Sequence, residues 1–177
     1  MDSSPVVRAW YLDPEHVGTT APRAKKYDLG LLQRVPLGDV LNLGPSPDEF
    51  SSEARSWTNL DFSPTVLRMC PRGRRVLGDV RALPFRGASF DTVLDFSTGD
   101  HVEQGRGHMR SEVYRVLRPG GYYVISYPNA QYGEWCGGFG FAHWFTPEEM
   151  LWELQAFDTF WHDMAQERSG IIVQKRA

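Results

Sequence analysis

The sequence predicts an α/β fold around a mostly parallel sheet, and three observations lead to this prediction. Short apolar runs of strand length recur along the chain, each bounded by turn residues. Between later runs, apolar residues recur at helical spacing. The last two runs are joined by a short turn, as in a hairpin, so one strand should run antiparallel. With 177 residues, 41% of them hydrophobic, the chain should form one domain.

Seven runs have the features of β-strands. The first five are "DVLNLG" (39–44), "WTNLDF" (57–62), "RRVLGD" (74–79), "FDTVLDF" (90–96) and "GYYVISYP" (121–128), and the last two are "DTFWHDMA" and "GIIVQKR", joined by "QERSG". Residues 1–36 contain four prolines and no sustained periodicity. We therefore expect an N-terminal arm or lid over 1–36 and the folded domain over 37–177.

Two segments show clear helical patterns, and a third helix should start at "SPTVLRMC". "GHMRSEVYRVLRPGG" carries an apolar stripe and a Pro-Gly-Gly stop signal, and the stripe comprises Met109, Val113, Val116 and Leu117. In "FTPEEMLWELQAF", Thr146 is the expected N-cap and Pro147 the first helical residue, followed by two glutamates. The expected buried stripe of this helix is Met150, Leu151, Leu154 and Phe157.

Composition favours a small-molecule ligand. The net charge is −3, with 19 basic and 22 acidic residues mixed along the chain, so neither nucleic-acid nor membrane binding is indicated. No apolar run approaches the roughly 18 residues of a membrane helix. Cys70 and Cys136 lack metal-ligand spacing, so no metal is predicted, and the first residues do not resemble a signal peptide. We expect a cytoplasmic protein that binds a small molecule, with a protein partner or a second copy also compatible.

Ligands of an open parallel sheet bind beyond the carboxyl ends of its strands. The first strand ends at Asn42 and Gly44, and the second ends at Asp61, 17 residues after Gly44. A carboxylate near this spacing can accept hydrogen bonds from both hydroxyls of an adenosine ribose. The third strand ends at Asp79, whose carboxylate suits an adenine amino group, while the Val80 amide suits a ring nitrogen. The fourth ends in "LDFSTGDHV", which brings further polar residues to the same mouth, namely Asp95, Ser97, Thr98, Asp100 and His101.

Taken in order, several motifs resemble those of the Rossmann-like S-adenosylmethionine-dependent methyltransferases. They are "DVLNLGP", "NLDFSP", "GDVRALPFRGASFDTVLDF", "DHVEQGRGHMRSEVYRVLRPGGYYVISYPN" and "HWFTPEEM", and the resemblance covers about residues 38 to 176. Its most specific part runs from Gly78 to Asn129, where "LPF", "SFD" and "RVLRPGG" occur together. The resemblance implies seven strands in the order 3-2-1-4-5-7-6, with strand 7 antiparallel and helices on both faces.

The resemblance also implies a cofactor, S-adenosylmethionine, with S-adenosylhomocysteine as its product. Carried over by position, the predicted cofactor-binding residues are Asn42, Gly44, Asp61, Phe62, Asp79, Val80, Asp95 and Ser97. The first loop departs from the family pattern, in which an acidic residue precedes Gly-x-Gly-x-Gly. Here Asn42 replaces the acidic residue, and "PSP" follows Gly44, so the first helix should be short or missing.

For catalysis, His101 and His143 are the candidate bases, although methyl transfer needs a base only when the acceptor is protonated. Residues 129–145 are rich in aromatics and glycines, and the acceptor-binding residues predicted there are Tyr132, Trp135, Phe141 and Trp144. Structural roles compete with these assignments. Asp61 could cap the next helix, Asp79 could form a turn, and either histidine could serve packing.

The leading hypothesis is therefore a methyltransferase with a small-molecule acceptor, which is apolar or aromatic. The altered first loop motivates an alternative, a catalytically impaired methyltransferase-like domain that serves as a partner or regulatory subunit. A nicotinamide-dependent oxidoreductase is disfavoured, because "PSP" supplies neither of the later glycines that approach the pyrophosphate.

Overall fold

The computed structural model describes residues 28–45, 54–102, 104–129, 143, 145–163 and 168–177. The strands in these ranges are β1 (Asp39–Leu43), β2 (Ser56–Asp61), β3 (Arg74–Leu77), β4 (Phe90–Phe96), β5 (Leu117–Pro128), β6 (Asp158–Asp163) and β7 (Arg168–Gln174). The helices are α1 (Pro64–Met69), α2 (Arg106–Val116) and α3 (Pro147–Glu153), with a 3-10 helix over Gly99–His101. Residues 28–32 are helical as well.

The strands form one sheet in the order β3-β2-β1-β4-β5-β7-β6. β1 pairs in parallel with β2 and β4, and parallel pairing continues to β3 on one side and β5 on the other. β7 pairs antiparallel with β5 and β6. This topology confirms the predicted fold class. The predicted short or missing first helix falls largely on residues 46–53, which lie outside the described residues.

The helix in the "RVLRPGG" region ends earlier than predicted. α2 stops at Val116, and Leu117 has an extended backbone, with φ −68° and ψ 140°. Leu117 opens β5 and pairs with Phe90, so its assignment to the helical stripe is wrong, although its side chain is buried. Pro119 explains the early end, because proline disfavours helical backbone at the preceding residue.

α3 begins as predicted and carries one wrongly placed apolar residue. The Thr146 hydroxyl accepts the Glu149 amide, and the Glu149 carboxylate accepts the Thr146 amide in return, which forms a capping box. Met150 is buried, but Leu151 is 37% exposed, so its place in the buried stripe is wrong. Leu154 and Phe157 are buried beyond the end of the helix. The core-facing residues thus follow a spacing of four and then three, and Leu151 falls to one side of that line.

Two apolar layers cover the sheet. The larger layer combines α2 and α3 with alternate strand residues, and includes Leu43, Val93, Met109, Val113, Ile125 and Met150. The smaller layer lies on the other face and includes Leu31, Leu32, Val35, Val40, Leu94 and Ile172. Residues 28–35 of the predicted arm therefore pack on the sheet. The rest of that arm, residues 1–27, lies outside the described residues.

An ion cluster joins the amino ends of β1 and β4 to neighbouring segments. Arg55 donates to Asp39 through Nε at 2.9 Å and to Asp91 through Nη2 at 2.8 Å. Arg118, in β5, lies 3.0 Å from the Asp39 carboxylate and 2.8 Å from that of Asp91. Hydrogen bonding from Arg55 and Ser56 holds the pKa of Asp39 well below its usual value. We call Asp39, Arg55, Asp91 and Arg118 the amino-end ion cluster.

Among the described residues, no helix is long and apolar enough to cross a membrane.

Candidate active site

Gly44 follows β1 and has a left-handed backbone conformation, with φ of 56°. Its amide donates to the Leu60 carbonyl at 2.9 Å. A side chain at this position would overlap the Thr98 hydroxyl, which donates to the Leu43 carbonyl at 2.8 Å. The glycine therefore allows the ends of β1 and β4 to pack closely, and its own amide is already bonded within the sheet.

Asn42 faces β2. Its side-chain amide donates to Asn59 Oδ1 at 3.3 Å, and both residues are buried. Asn59 Oδ1 also accepts the Trp57 indole N–H at 2.9 Å, while Asn59 Nδ2 donates to the Arg72 carbonyl at 2.7 Å. The side chain of Asn42 thus joins a polar chain between strands β1 and β2.

Asp61 is a buried carboxylate at the carboxyl end of β2, with 5% of its surface exposed. Its Oδ1 accepts the Ser63 amide at 2.6 Å. Burial raises the pKa of Asp61 to about 7, although the amides of Ser63 and Phe62 oppose this rise. Among the described residues, no arginine, lysine or histidine forms an ion pair with it. The N-cap of α1 is Ser63, so the role of Asp61 at this helix is to hold the capping residue rather than to cap the helix itself.

Asp79, unlike Asp61, is paired with a cation. Arg81 binds both of its carboxylate oxygens, through Nε at 3.0 Å to Oδ1 and through Nη2 at 2.7 Å to Oδ2. The Arg81 amide also donates to Oδ1, at 2.8 Å, which closes a turn. Hydrogen bonding to Arg81 lowers the pKa of Asp79. The side chain is 34% exposed, and Val80 next to it packs against the larger apolar layer.

Asp95, near the end of β4, lies in a buried polar network. Its Oδ1 accepts the amides of Thr98 and Gly99, at 2.9 and 3.0 Å. Its Oδ2 accepts Arg110 Nη1 and the Tyr123 hydroxyl, both at 2.8 Å. Both oxygens of Asp95 are therefore engaged by the surrounding protein.

Arg110 connects this carboxylate to α3. Its Nε lies 3.4 Å from Glu153 Oε2, and Arg106 donates to Glu153 Oε1 at 2.9 Å. Burial opposes the charge on Arg110, but the facing Asp95 and Glu153 outweigh this and raise its pKa. α2, α3 and the end of β4 are thus tied together by one network of charges.

Ser97 turns the chain away from β4 with a positive φ of 60°, which is uncommon outside glycine. Its amide donates to the Ser126 carbonyl at 2.9 Å. The backbone after β4 is therefore fixed at Ser97 by β5, and at Thr98 and Gly99 by Asp95.

The two candidate bases share a neighbour. His101 Nε2 lies 3.8 Å from the carboxylate of Asp100, which is buried. The His143 amide donates to the Asp100 carbonyl at 2.7 Å, so the residues lie close together. The His143 ring packs edge-on against Phe145, 4.6 Å between centroids, and lies 3.8 Å from Glu149 Oε2.

The predicted acceptor-binding residues Tyr132, Trp135, Phe141 and Trp144 lie outside the described residues. The ends of their segment are described. Asn129 forms a parallel bridge with Phe145, and both are buried. The segment therefore leaves from, and returns to, the carboxyl end of β5. In the described part of the chain, no group of three or more metal-ligating side chains could hold a metal ion.

Sequence reasoning missed the residues that partner the predicted ones. Arg81, two residues after Asp79, was detectable, because an arginine at this distance can reach back to a turn-forming aspartate. Arg110 lies beside Met109 in an amphipathic helix, and no local pattern distinguishes it from an exposed arginine. In the sequence, Tyr123 resembles any other buried strand residue. Its hydrogen bond to Asp95 forms because β5 pairs with β4.

Comparison with known proteins matches part of the chain to a family model. Residues 41–125 match the family model described as a methyltransferase domain. This match covers slightly less than half of the chain and supports its resemblance to methyltransferases. The chain is similar to the phthiotriol/phenolphthiotriol dimycocerosates methyltransferase of Mycobacterium tuberculosis, with 31% identity over 128 residues, which are 68% of this chain and 47% of that protein. The chain thus spans about half the length of this relative.

Solved structures share the fold at low sequence identity. The [4+2]-cyclase SpnF superposes with a TM-score of 0.74 and 12% identity, covering 91% of this chain and 86% of that one. The 1,6-didemethyltoxoflavin-N1-methyltransferase of Burkholderia thailandensis, with bound 1,6-didemethyltoxoflavin and S-adenosylhomocysteine, superposes with a TM-score of 0.65 and 19% identity, covering 88% and 78%. One fold thus carries different activities, so the activity of this chain has to be argued from its site.

The described residues fit the adenosine end of S-adenosylmethionine, the cofactor that the resemblance implies. Asp61 offers a buried carboxylate with no described cation beside it, and Phe62 next to it is 40% exposed. Such a carboxylate can accept hydroxyl donors, and an exposed aromatic side chain can cover an apolar ring surface.

Proposed function

We propose that this chain is a methyltransferase that transfers a methyl group from S-adenosylmethionine to a small, apolar acceptor. The observation that carries the proposal is Asp61. A buried carboxylate that lacks a cationic partner is costly to keep unless something else stabilises its charge. The two ribose hydroxyls of the cofactor would do so.

The neighbouring strand ends complete the adenosine site in this proposal. Phe62 would lie along the adenine ring, and Val80 would offer its backbone amide to a ring nitrogen. Asp79 would contribute less than Asp61, because Arg81 already occupies both of its oxygens. Gly44, Ser97 and Asn42 would shape the wall of the site, and Asp95 would hold the loop after β4 rather than touch the ligand.

When bound, S-adenosylmethionine supplies a methyl group attached to a positively charged sulfur. The protein has to hold an acceptor in line with that bond and exclude water. His101 and His143 lie on segments that meet at Asp100, where either imidazole could take a proton from an acceptor hydroxyl or amine. Near His101, the carboxylate of Asp100 would stabilise the resulting positive charge.

Two features support an apolar acceptor. Phthiotriol and phenolphthiotriol dimycocerosates appear in the name of a similar methyltransferase. In this chain, α3 exposes Leu151 by 37% and Trp152 by 70%. α3 is tied through Glu153 to Arg106 and Arg110, so these apolar side chains lie on an element that is fixed to the network around Asp95.

The test is calorimetric titration of the folded protein with S-adenosylhomocysteine at pH 6 and pH 8. Because burial raises the pKa of Asp61 to about 7, its carboxyl is mostly protonated at pH 6 and mostly ionised at pH 8. The ionised form accepts both hydroxyls, so affinity should rise with pH. Asp61→Asn should weaken binding at pH 8 by roughly 10- to 100-fold, the range expected for hydrogen bonds to a charged group, and should remove the pH dependence.

Asp158→Asn is the matched control, since Asp158 is an exposed carboxylate paired with Arg176 at the edge of the sheet. It should leave binding unchanged. Asp61→Asn should also be at least as stable as the wild type at pH 8, because it removes a buried charge, so lost binding would not reflect unfolding. Absence of binding to the folded wild-type protein at millimolar ligand would refute the proposal.

A further inference from the structure

A groove of about 440 Å³ lies at the amino ends of β2, β3 and β4, at the opposite end of the sheet from the candidate active site. This volume is within the range of small-molecule sites. We propose that the groove is a second binding site, for a small organic anion. Its phosphate or carboxylate group would lie between Arg74 and Arg86, and its apolar part would rest on Phe85 and Phe90. The proposal does not depend on the proposed methyl transfer.

The charge of the groove is positive and uncompensated. The guanidinium groups of Arg74 and Arg86 line it, and neither forms a hydrogen bond or ion pair with a described residue. The carboxylate that lines it belongs to Asp39, which is already bound by Arg55 and Arg118. Two arginines without partners can both donate paired N–H groups to one oxyanion.

Thr58 supplies a further hydrogen-bond donor in the same place. It lies in β2, lines the groove and is 7% exposed. Its hydroxyl has no hydrogen-bond partner among the described residues. A hydroxyl in the wall of the groove that no described residue engages is available to donate to an oxyanion bound there.

The wall of the groove is fixed before any ligand arrives. Arg115, in α2, donates to the Phe85 carbonyl at 2.7 Å and to the Leu83 carbonyl at 3.0 Å. The Ser89 amide donates to the Val116 carbonyl at 2.7 Å. Phe85 and Phe90 meet edge to face, with 5.0 Å between ring centroids. The apolar wall of the groove therefore needs little ordering when a ligand binds.

The experiment titrates the full chain with phenyl phosphate, phenylacetate, inorganic phosphate and benzyl alcohol. Phenyl phosphate or phenylacetate should bind saturably, and the tighter of the two identifies the preferred oxyanion. Inorganic phosphate should bind more weakly, because it lacks an apolar part, and benzyl alcohol should not bind. Arg74→Ala and Arg86→Ala should each weaken binding about tenfold or more. Thr58→Val, which keeps the shape of the side chain, should weaken it by a smaller factor.

Arg68→Ala is the matched control, because Arg68 is an exposed arginine outside the groove, on α1. Its loss should leave binding unchanged. Saturating S-adenosylhomocysteine should also leave it unchanged, since the two sites lie at opposite ends of the sheet. The proposal is overturned if no organic anion binds, if the Arg74 and Arg86 variants bind like the control, or if S-adenosylhomocysteine competes.

Discussion

Gly44 and Thr98 form a pair in which one residue is small because the other is close. Thr98 reaches across from the end of β4 and caps the Leu43 carbonyl, in the space that a side chain at Gly44 would need. The left-handed backbone of Gly44 adds a second reason for glycine. Glycine is therefore required here for packing between strands, whether or not a ligand approaches it.

Replacing this glycine should destabilise the fold, and the size of the effect should depend on the side chain at position 98. Gly44→Ala should reduce the free energy of unfolding by about 2–4 kcal/mol, from backbone strain and overlap together. In a Thr98→Ala background the same change should cost only about 1–2 kcal/mol, because the overlap with the hydroxyl and methyl groups of Thr98 is gone, while the backbone strain and a close contact with the Cβ of residue 98 remain. Urea denaturation of the four proteins measures both values.

Gly107→Ala provides the control for the glycine change. Gly107 lies in α2, with nothing within 4 Å of an added Cβ and no positive φ. This variant should be as stable as the wild type or slightly more stable, since alanine favours helix. An equal cost of Gly44→Ala in both backgrounds would show that Thr98 does not set the constraint.

Asp61 and Asp79 show why position alone does not define a binding residue. Both were predicted from their place after a strand. Asp61 has amide donors and no described cation, whereas Asp79 is held on both oxygens by Arg81. Sequence spacing can find a strand-end carboxylate, but its partners depend on how the following turn folds.

At the scale of elements, α2 and α3 are fixed to the sheet by charge as well as by apolar packing. Arg110 is 5% exposed and connects Asp95, in β4, with Glu153, in α3. This places a charged side chain on the core side of an amphipathic helix, beside Met109. The helix was predictable from its stripe, but the arginine in its buried face was not, because its partners come from other elements.

Removing one member of this network should be costly. Arg110→Met should reduce the free energy of unfolding by about 3–5 kcal/mol, because the buried Asp95 loses its cation. Asp95→Asn should cost a similar amount. The double variant should cost clearly less than the sum of the two, since it leaves neither charge alone. Urea denaturation of the four proteins gives this coupling energy.

Arg176→Ala tests whether the cost arises from burial. Arg176 pairs with Asp158 at 3.0 Å, but both side chains are more than half exposed. Its loss should change stability by less than about 1 kcal/mol. Additive costs of Arg110→Met and Asp95→Asn would contradict the role assigned to the network.

Over the whole molecule, the sheet order follows from the family motifs, and strand positions follow from the apolar runs. The resemblance carried the order 3-2-1-4-5-7-6, which no local pattern could supply. One error lay at an element end, where Leu117 opens β5 instead of closing α2, and another lay within α3, where Leu151 falls beside the buried face. The positions of the candidate site residues at strand ends could be predicted from the sequence. The side-chain partners could not, because Arg81, Arg110 and Thr98 acquire their roles from tertiary packing.

The two ends of the sheet differ in how they hold charge. At the carboxyl end, Asp61 is buried with a raised pKa. At the amino end, Asp39 and Asp91 are bound by Arg55 and Arg118, and the pKa values of both carboxyls are lowered. Burial works against the lowering at Asp91, but the Asp39 amide and Arg118 outweigh it. The amino-end ion cluster should therefore make the free energy of unfolding depend on pH in the acid range.

The direction of this pH dependence follows from proton binding. A carboxyl with a lowered folded-state pKa stabilises the fold above its unfolded pKa, here the ordinary value of 3.8, and this contribution is lost as pH falls through the folded pKa. Arg118→Ala should therefore destabilise the protein at pH 7, and the difference from the wild type should shrink as pH falls below about 4. Urea denaturation at pH 7, 5, 4 and 3 measures this trend, with Arg176→Ala as the control. A difference that stays constant down to pH 3 would mean that Arg118 acts by packing alone rather than by holding Asp39 and Asp91 ionised.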